Sequence, residues 1–332
     1  MMPRRDSPTD NTDAKKFASL SMAGRRQPFF GLSDTPEDED QYVFTSMRWD
    51  CKAKPCKQNL GSTKEMKCVY LFKYHYERLL NAASHRGWYD AAKSPAMKKP
   101  IELYTRVQRA VDKYMQETGS KGPFKVRVML RYHGNVEAKV APEISLVKQP
   151  CLYPTTFQIS SNPEPAAKRA DVFKVVLDAL PTNRCLHTKD KTEWRHMYDY
   201  ARLGASIQSY QDAKEVLLFN GDGEVMDASI STPYFLRNGK WVTPHNDCGG
   251  QTGATRRWAL DNNLCNFGII TADSLLHGET IWLSNAVKGF FTARYVTSTT
   301  RCQAPSFRST SFSSTSTYSG TTNSDIVPKP ML

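Results

Sequence analysis

The sequence contains no long hydrophobic run. Within its 332 residues, no apolar stretch approaches the roughly 20 residues that cross a bilayer, which argues against a membrane-spanning protein. The opening segment MMPRRDSPTDNTDAKK lacks the apolar core of a secretory signal, and its interspersed acids argue against an organelle-import peptide. We therefore expect a cytoplasmic protein that does not bind a membrane.

Cysteine is scarce, and its spacing fits neither a disulfide framework nor a zinc site. The eight cysteines are spread over a chain that is too long for a small disulfide-stapled domain. Cys51, Cys56 and Cys68 lie near one another, but their intervals are not those of a zinc motif and no pair of histidines accompanies them. The expectation is free thiols and no bound metal.

Acidic residues are too few to balance the basic ones, and the net charge is +12. Such a charge can indicate nucleic-acid binding. The lysines and arginines are dispersed among acids, however, and no stacking-aromatic motif or recognition helix stands out. An anionic cofactor and an anionic small-molecule substrate would also favour a positive field. We expect those partners and no nucleic acid.

Periodicity is absent from both ends of the chain and present between them. Residues 1–38 are polar, and residues 301–332 are rich in serine and threonine, so both are expected to be disordered tails. Residues 39–150 are expected to form a small α/β domain, and residues 151–300 a larger one. The five prolines within 141–170 indicate the connection between the two.

The small domain is predicted to be a βααββ unit. Residues 41–49 alternate between apolar and polar and read as a strand. A helix follows from Cys68 towards Gly87, and Pro100 and Gly119 bracket a second one. The remaining two strands cover 124–130 and 136–140, with a turn at His133-Gly-Asn between them. Arg78 lies off the apolar face of the first helix, so it is either solvated or directed into a site.

The stretch from Lys191 to Thr255 carries the candidate chemistry. Apolar residues at helical spacing predict a helix that begins at Lys191 and carries Trp194, Met197, Tyr198 and Ala201 on one face. The positive end of a helix disfavours a cation, which would lower the pKa of this lysine, as a nucleophilic amine requires. A surface lysine at a helix end is the alternative.

Two hairpins follow that helix. Asn-Gly-Asp-Gly and Arg-Asn-Gly-Lys predict turns between antiparallel strands at 214–220, 224–231 and 233–243. The middle strand carries Asp227, and an acid buried in a strand needs a partner such as a protonated pyridinium nitrogen. An aspartate that faces solvent is the alternative.

A glycine-rich turn, 247–255, precedes a short predicted helix. Such a turn presents unpaired backbone N–H groups to an anion, and Gly253, Ala254 and Thr255 are therefore candidates to hold a phosphate. Glycine turns before helices are common, so this feature alone does not establish a site.

Five segments follow one another along the chain: YHYERL (74–79), KTEWR with YDYAR (191–202), EVMDASIS (224–231), WVTP with GATR (241–256) and LSNAVKG (283–289). Together and in this order they resemble the motifs of the class IV pyridoxal-phosphate-dependent aminotransferases, the fold-type IV enzymes. The resemblance covers roughly residues 41 to 296.

The resemblance implies an α/β (α+β) fold of two domains, with a small N-terminal α/β domain and a larger C-terminal β-rich, cofactor-binding domain. It also implies a pyridoxal 5′-phosphate cofactor carried on Lys191 as a Schiff base, with the freed lysine as the catalytic base. Asp227 would face the pyridine nitrogen. The phosphate would be held by Arg78, Ser229 and the turn at Gly253, Ala254 and Thr255. Relatives are often dimers, so a homodimer is implied as well.

The opening TSMRWD (45–50) resembles that of fungal aminodeoxychorismate lyases. This favours a lyase that converts 4-amino-4-deoxychorismate into 4-aminobenzoate and pyruvate, with Arg48 as a candidate contact for a substrate carboxylate. An aminotransferase acting on branched-chain or D-amino acids is the first alternative. Asp227, Thr232 and Lys288 replace the glutamate, asparagine and arginine of the family, which keeps a non-catalytic homologue as the second alternative.

Overall fold

The computed structural model describes residues 41–52, 66–144, 151–158 and 173–297. The predicted tails at 1–38 and 301–332 lie outside these ranges, as does most of the loop that follows Cys51. Within the described ranges, no helix is long and apolar enough to cross a membrane.

The described chain combines helices with two β-sheets. The strands are β1 (Tyr42–Trp49), β2 (Phe124–Arg131), β3 (Val136–Pro142), β4 (Phe173–Leu177), β5 (Lys214–Phe219), β6 (Val225–Ala228), β7 (Thr232–Arg237), β8 (Lys240–Pro244), β9 (Asn266–Gly268), β10 (Thr280–Asn285) and β11 (Gly289–Tyr295). The helices are α1 (Phe72–His85), α2 (Tyr89–Lys93), α3 (Pro100–Thr118), α4 (Leu186–Lys189), α5 (His196–Gly204) and α6 (Ala254–Asp261).

The first sheet has three antiparallel strands in the order β1-β2-β3. Alternate residues of β2 are buried, which is the pattern of a strand with one face on the core. Helices α1 and α3 supply the other side of this core through Leu79 and Val107, both fully buried. Helix α3 has Pro100 in its first turn and ends at Gly119, whose φ is +69°. The predicted order of strands and helices in the βααββ unit is therefore confirmed, with the short helix α2 added between the two predicted helices.

The second sheet has eight strands in the order β6-β5-β4-β11-β10-β7-β8-β9. The hairpin at Asn-Gly-Asp-Gly forms as predicted and joins β5 to β6. The hairpin at Arg-Asn-Gly-Lys also forms as predicted and joins β7 to β8, so the single strand given for 233–243 is wrong. Nor does β7 pair with β6. A tight turn, in which the Ala228 N–H donates to the Ser231 carbonyl at 3.1 Å, ends β6, and β7 pairs with β10.

The predicted helix from Lys191 begins later than expected. Helix α5 starts at His196, and Lys191 lies in the extended segment before it. The reason is the free edge of β1: the Phe44 N–H donates to the Lys191 carbonyl at 2.8 Å, and Val43 forms an antiparallel bridge with Thr192. These backbone bonds hold the lysine in an extended conformation, so the helix dipole does not act on it from its own first turn.

The expectation of free thiols fails at one pair. Cys51 and Cys68 form a disulfide, because the backbone beyond β1 runs antiparallel to the segment that precedes α1. Trp49 bridges Val69 there, and the Asp50 N–H donates to the Cys68 carbonyl at 2.7 Å. The other cysteines within the described ranges are free, namely Cys151, Cys185, Cys248 and Cys265.

Candidate active site

A cavity of about 350 Å³ receives side chains from both sheets. Strands β1 and β2 contribute to its lining, together with the β6–β7 turn, the start of α6 and the β10–β11 turn. The segment around Lys191, bound to the edge of β1, completes the wall. Elements that are distant in sequence therefore meet around one space.

The amine of Lys191 lies in a strongly positive part of this cavity. Its Nζ is 5.2 Å from the centre of the Phe44 ring. Burial lowers the pKa of Lys191 well below its usual value, and the charges of Arg195, Arg78 and Arg127 lower it further, against the opposing pull of Asp227. A lysine in such surroundings can be a neutral nucleophile or base at neutral pH.

Asp227 is a buried acid on β6, opposite Leu218 of β5. Burial raises the pKa of its carboxyl to about 7, although hydrogen bonds from backbone N–H groups and the charges of Arg256 and Lys191 favour the ionised form. One of these bonds comes from the Gln251 N–H, 3.3 Å from Oδ2. Asp227 is therefore buried, as one of the two predicted alternatives required, and its carboxyl can exchange a proton near neutral pH.

Gln251 links three of the groups around the cavity. Its Oε1 accepts from Arg78 at 2.8 Å, and its Nε2 donates to the Tyr198 hydroxyl at 3.2 Å. Gly250 lets this segment approach β6, since a Cβ there would lie 2.1 Å from the Met226 carbonyl oxygen. Arg78 is consequently directed into the cavity rather than solvated, and Gln251 holds it there. The spacing of residues in the sequence did not indicate a role for Gln251.

The start of α6 supplies groups that can receive an anion. Gly253 is the N-cap and, within the described chain, no side chain caps this helix, so the first-turn N–H groups lack helical partners. Ser284 donates its only hydroxyl proton to Thr255 Oγ1 at 2.8 Å, so the Tyr234 hydroxyl must donate to Ser284. This order of donors leaves the Thr255 proton available to a group in the cavity. Gly253, Ala254 and Thr255 all line the cavity.

Ser229 lines the cavity too, but its hydroxyl is already engaged. It donates to the buried carboxylate of Glu215 and accepts from Arg202 Nη1 at 3.1 Å. With its one proton committed, the hydroxyl is a poor donor to a phosphate. The structure therefore gives Ser229 a place beside the cavity without the contact that the resemblance implies.

The side chain of Arg48 does not line the cavity. Its Nε and Nη2 donate to Asp50 Oδ2 at 3.0 and 2.9 Å, and Nη1 donates to the Val287 carbonyl at 3.4 Å. It does not occur among the described residues that line the cavity. An arginine already bound to a carboxylate is not placed to recognise a substrate, so the structure does not support the contact predicted for Arg48.

Four cavity cations were not identified from spacing. They come from β2 and from the region of α5, and all of them line the cavity: Lys125, Arg127, Arg195 and Arg202. Arg127 lies 4.5 Å from the centre of the Phe44 ring. The alternation of β2 could have placed Lys125 and Arg127 on the face opposite the core, but only the tertiary structure brings that face to the cavity.

Comparison with known proteins agrees with this arrangement. The family model for amino-transferase class IV matches residues 43–296. A Schizosaccharomyces pombe protein named "Putative aminodeoxychorismate lyase" is 26% identical over 223 residues, which are 66% of this chain and 81% of that protein.

Two crystal structures illustrate the shared fold. An amino-acid aminotransferase structure from Mesorhizobium loti superimposes with a TM-score of 0.54 at 22% identity, over 77% of this chain and all of the other. A branched-chain aminotransferase structure from Thermotoga maritima gives 0.52 at 17% identity, over 77% of each chain. In both cases the function was assigned to the other protein provisionally, and the likeness is one of fold. Because the family model covers well over half of the sequence, the chain belongs to the class IV aminotransferases, a family of pyridoxal-phosphate-dependent enzymes.

Proposed function

We propose that this protein binds pyridoxal 5′-phosphate and converts 4-amino-4-deoxychorismate into 4-aminobenzoate and pyruvate. The observation that carries the proposal is the charge of the cavity. Seven basic side chains line it against two acids, Glu143 and Asp227. A phosphate accounts for only part of this excess, and a substrate with two carboxylates would use the rest.

A branched-chain amino acid would need a different cavity. It carries one carboxylate and an aliphatic side chain, which an apolar wall recognises best. Here the lysines and arginines that line the space come from several elements, among them β2 and the region of α5. This distribution favours the lyase over the aminotransferase alternative.

The residues around the cavity fit the cofactor. Arg78 and the uncapped start of α6 would hold the phosphate, with the Thr255 hydroxyl as a further donor. Asp227, poised near neutral pH by burial, would hold a proton opposite the ring nitrogen. Aspartate is one methylene shorter than the family's glutamate, and the close approach that Gly250 permits keeps the Gln251 N–H on its carboxyl.

When bound, the cofactor supplies an electron sink for the bonds around the substrate amine. The protein supplies the proton transfers. Lys191 Nζ, whose pKa is lowered well below its usual value by burial and by neighbouring arginines, would accept the proton from the ring carbon that carries the amine. Loss of that proton lets the ring become aromatic as the C–O bond to the enolpyruvyl group breaks, and the released enolate accepts one proton on its terminal carbon to become pyruvate.

The decisive experiment is a product assay with the cofactor-loaded protein. It would be incubated with 4-amino-4-deoxychorismate and, separately, with pairs of amino and keto acids. We expect equal amounts of 4-aminobenzoate and pyruvate from the first incubation and no keto-acid exchange in the others. Exchange without 4-aminobenzoate would replace the lyase with an aminotransferase. Failure of the intact protein to take up the cofactor, seen as absence of its visible absorption, would leave the non-catalytic homologue.

A further inference from the structure

The loop between α5 and β5 lies against a cluster of cations from neighbouring elements that line the cavity. Gln208, Ser209, Tyr210 and Gln211 line the cavity there, and all four are exposed. We use the name cavity mouth for Tyr210 together with the three cations that surround it, Lys125, Arg202 and Lys288.

Tyr210 is the centre of the cavity mouth. Lys125 Nζ lies 5.9 Å from the centre of its ring, and the Arg202 guanidinium carbon lies 4.6 Å from it. Lys288 Nζ donates to the Tyr210 carbonyl at 3.2 Å. One residue thus gathers cations from β2, from α5 and from the β10–β11 turn.

The loop that presents Tyr210 is fixed by its own hydrogen bonds. Asp212 Oδ2 accepts from the N–H groups of Gln208 and Ser209, at 2.8 and 3.0 Å. Arg202 Nη2 donates to the Ser209 carbonyl at 2.8 Å. The loop is therefore prearranged, and its order does not have to be created when a ligand binds.

The charge of Arg202 is buried without a direct carboxylate partner among the described residues. The residue is 1% exposed, and its Nε has no hydrogen-bond partner within them. Glu215, the nearest buried acid in this network, is reached only through the Ser229 hydroxyl. A buried guanidinium in that position favours a nearby anion.

The balance of charge around the mouth is positive. The three cations Lys125, Arg202 and Lys288 face two acids, Glu143, which also lines the cavity, and Glu215, which accepts from Ser229. One positive charge remains in excess, and Arg127, whose charge acts on Lys191, adds to the positive field of the cavity. Arg78, Lys191 and Asp227 belong to the other end of the cavity, where the cofactor is proposed to bind.

We propose that the cavity mouth is a second anion subsite, which binds the substrate carboxylate that is remote from the reacting amine. The proposal rests on the function proposed above, and it identifies the substrate as a dicarboxylate whose second acid group extends toward solvent. Lys125 and Lys288 would contact that carboxylate. Arg202, held by Ser209 and Ser229, would supply charge from behind and act as a positioning residue.

Direct binding to the cofactor-loaded protein tests the subsite. Titration calorimetry would compare 3-(carboxymethoxy)benzoate, which carries a ring carboxylate and an ether-linked carboxylate, with 3-methoxybenzoate, which lacks the second one. We expect the dicarboxylate to bind at least about 10-fold more tightly, the size of one charge-assisted contact. Equal affinities in the native protein would overturn the proposal.

Two variants locate the preference. Lys288→Met and Lys125→Met should each reduce it by about 10-fold while leaving the affinity for 3-methoxybenzoate unchanged. The exposed Lys240, the first residue of β8, is the matched control, and Lys240→Met should keep the full preference. The visible absorption of the bound cofactor reports whether each variant is folded, and either of the two carries the test if the other fails to fold.

The outcomes separate this proposal from the proposed reaction. A preference for the dicarboxylate that disappears in both variants supports the subsite even if no 4-aminobenzoate is formed, in which case only the reaction is wrong. Formation of 4-aminobenzoate by a protein without the preference would retain the reaction and remove the subsite. A preference that survives in both variants would place the second carboxylate elsewhere and also overturn the proposal.

Discussion

The two ends of the cavity hold their charged groups in different ways. We define the cavity floor as Lys191, Asp227, Arg78 and Gln251. There, Gln251 hydrogen-bonds to both Asp227 and Arg78, and the backbone of Lys191 is bonded to β1. At the cavity mouth, cations surround the exposed ring of Tyr210, and the nearest acids lie beneath or beside them. The floor thus has the features of a catalytic centre, and the mouth those of a recognition surface.

Changes at the floor should alter cofactor binding and kcat, whereas changes at the mouth should alter KM.

Lys191→Ala is expected to have the largest effect. It removes the amine that would bind the cofactor and move the proton, and kcat should fall by about 10⁴-fold, the upper range for loss of a general base. The visible absorption of lysine-bound cofactor should disappear with it. Lys189→Ala, an exposed lysine at the end of α4, is the control and should behave like the native protein. An unchanged spectrum in Lys191→Ala would show that the cofactor is not bound to this lysine.

The acid at the floor should make the cofactor-free protein less stable as the pH rises. The folded carboxyl of Asp227 keeps its proton up to about pH 7, whereas an unfolded aspartate loses it near pH 3.8. The folded state therefore binds more protons between these values, and its free energy of unfolding falls across that window by at most about 4 kcal/mol.

Urea unfolding at pH 5 and pH 8 would measure this slope. Lys191 has a lowered pKa and contributes with the opposite sign, so the comparison is best made in a Lys191→Met background. There, Asp227→Asn should flatten the dependence on pH. The same slope with aspartate and with asparagine would show that the carboxyl does not hold a proton at neutral pH.

Asp227→Asn should also lower kcat, by about 10²-fold, because an amide cannot keep the ring nitrogen protonated. Cofactor affinity should change much less than kcat. Asp227→Glu restores the family's residue, and we expect it to retain activity. If the asparagine variant were as active as the native protein, the carboxyl of Asp227 would have only a structural role, and the floor would lack the acid that distinguishes it from the mouth.

Gln251→Met should have the smallest effect of the four. It preserves the shape of the side chain but leaves Arg78 and Tyr198 without their partner, which should weaken cofactor binding by about 10-fold. Gln251→Glu keeps the acceptor for Arg78 and should restore part of that affinity. Equal affinities for the two variants would mean that Gln251 only fills space.

Local patterns predicted local structure. Pro100 and Gly119 bracket α3 because their effects on the backbone act within one turn of a helix, and Asn-Gly-Asp-Gly fixes the β5–β6 hairpin in the same way. The pairing of β7 with β10 could not be deduced, because Tyr234 lies opposite Trp282 across an interval that no local pattern spans. Lys191 shows the same limit, since its extended backbone depends on the edge of β1.

Some residues of the candidate site could be identified from the sequence, and others only from the tertiary structure. Arg78, Asp227 and the turn at Gly253 were identified because their surroundings in sequence resemble those of a family. Gln251 and Tyr210 carry no such pattern, and their importance comes from contacts with partners on other elements. Arg48 illustrates the reverse case, in which a motif was present but a neighbouring acid, Asp50, occupies the guanidinium.

The bond between β1 and the lysine segment also determines when during folding the cavity can form. The Tyr42 N–H donates to Glu193 across 151 positions of the chain, close to the bond from Phe44 to the Lys191 carbonyl. Closing so large a loop is slow compared with the formation of helices and hairpins. A newly made chain is therefore expected to acquire most of its secondary structure before its lysine is positioned, and a cofactor that needs this lysine would bind late in folding.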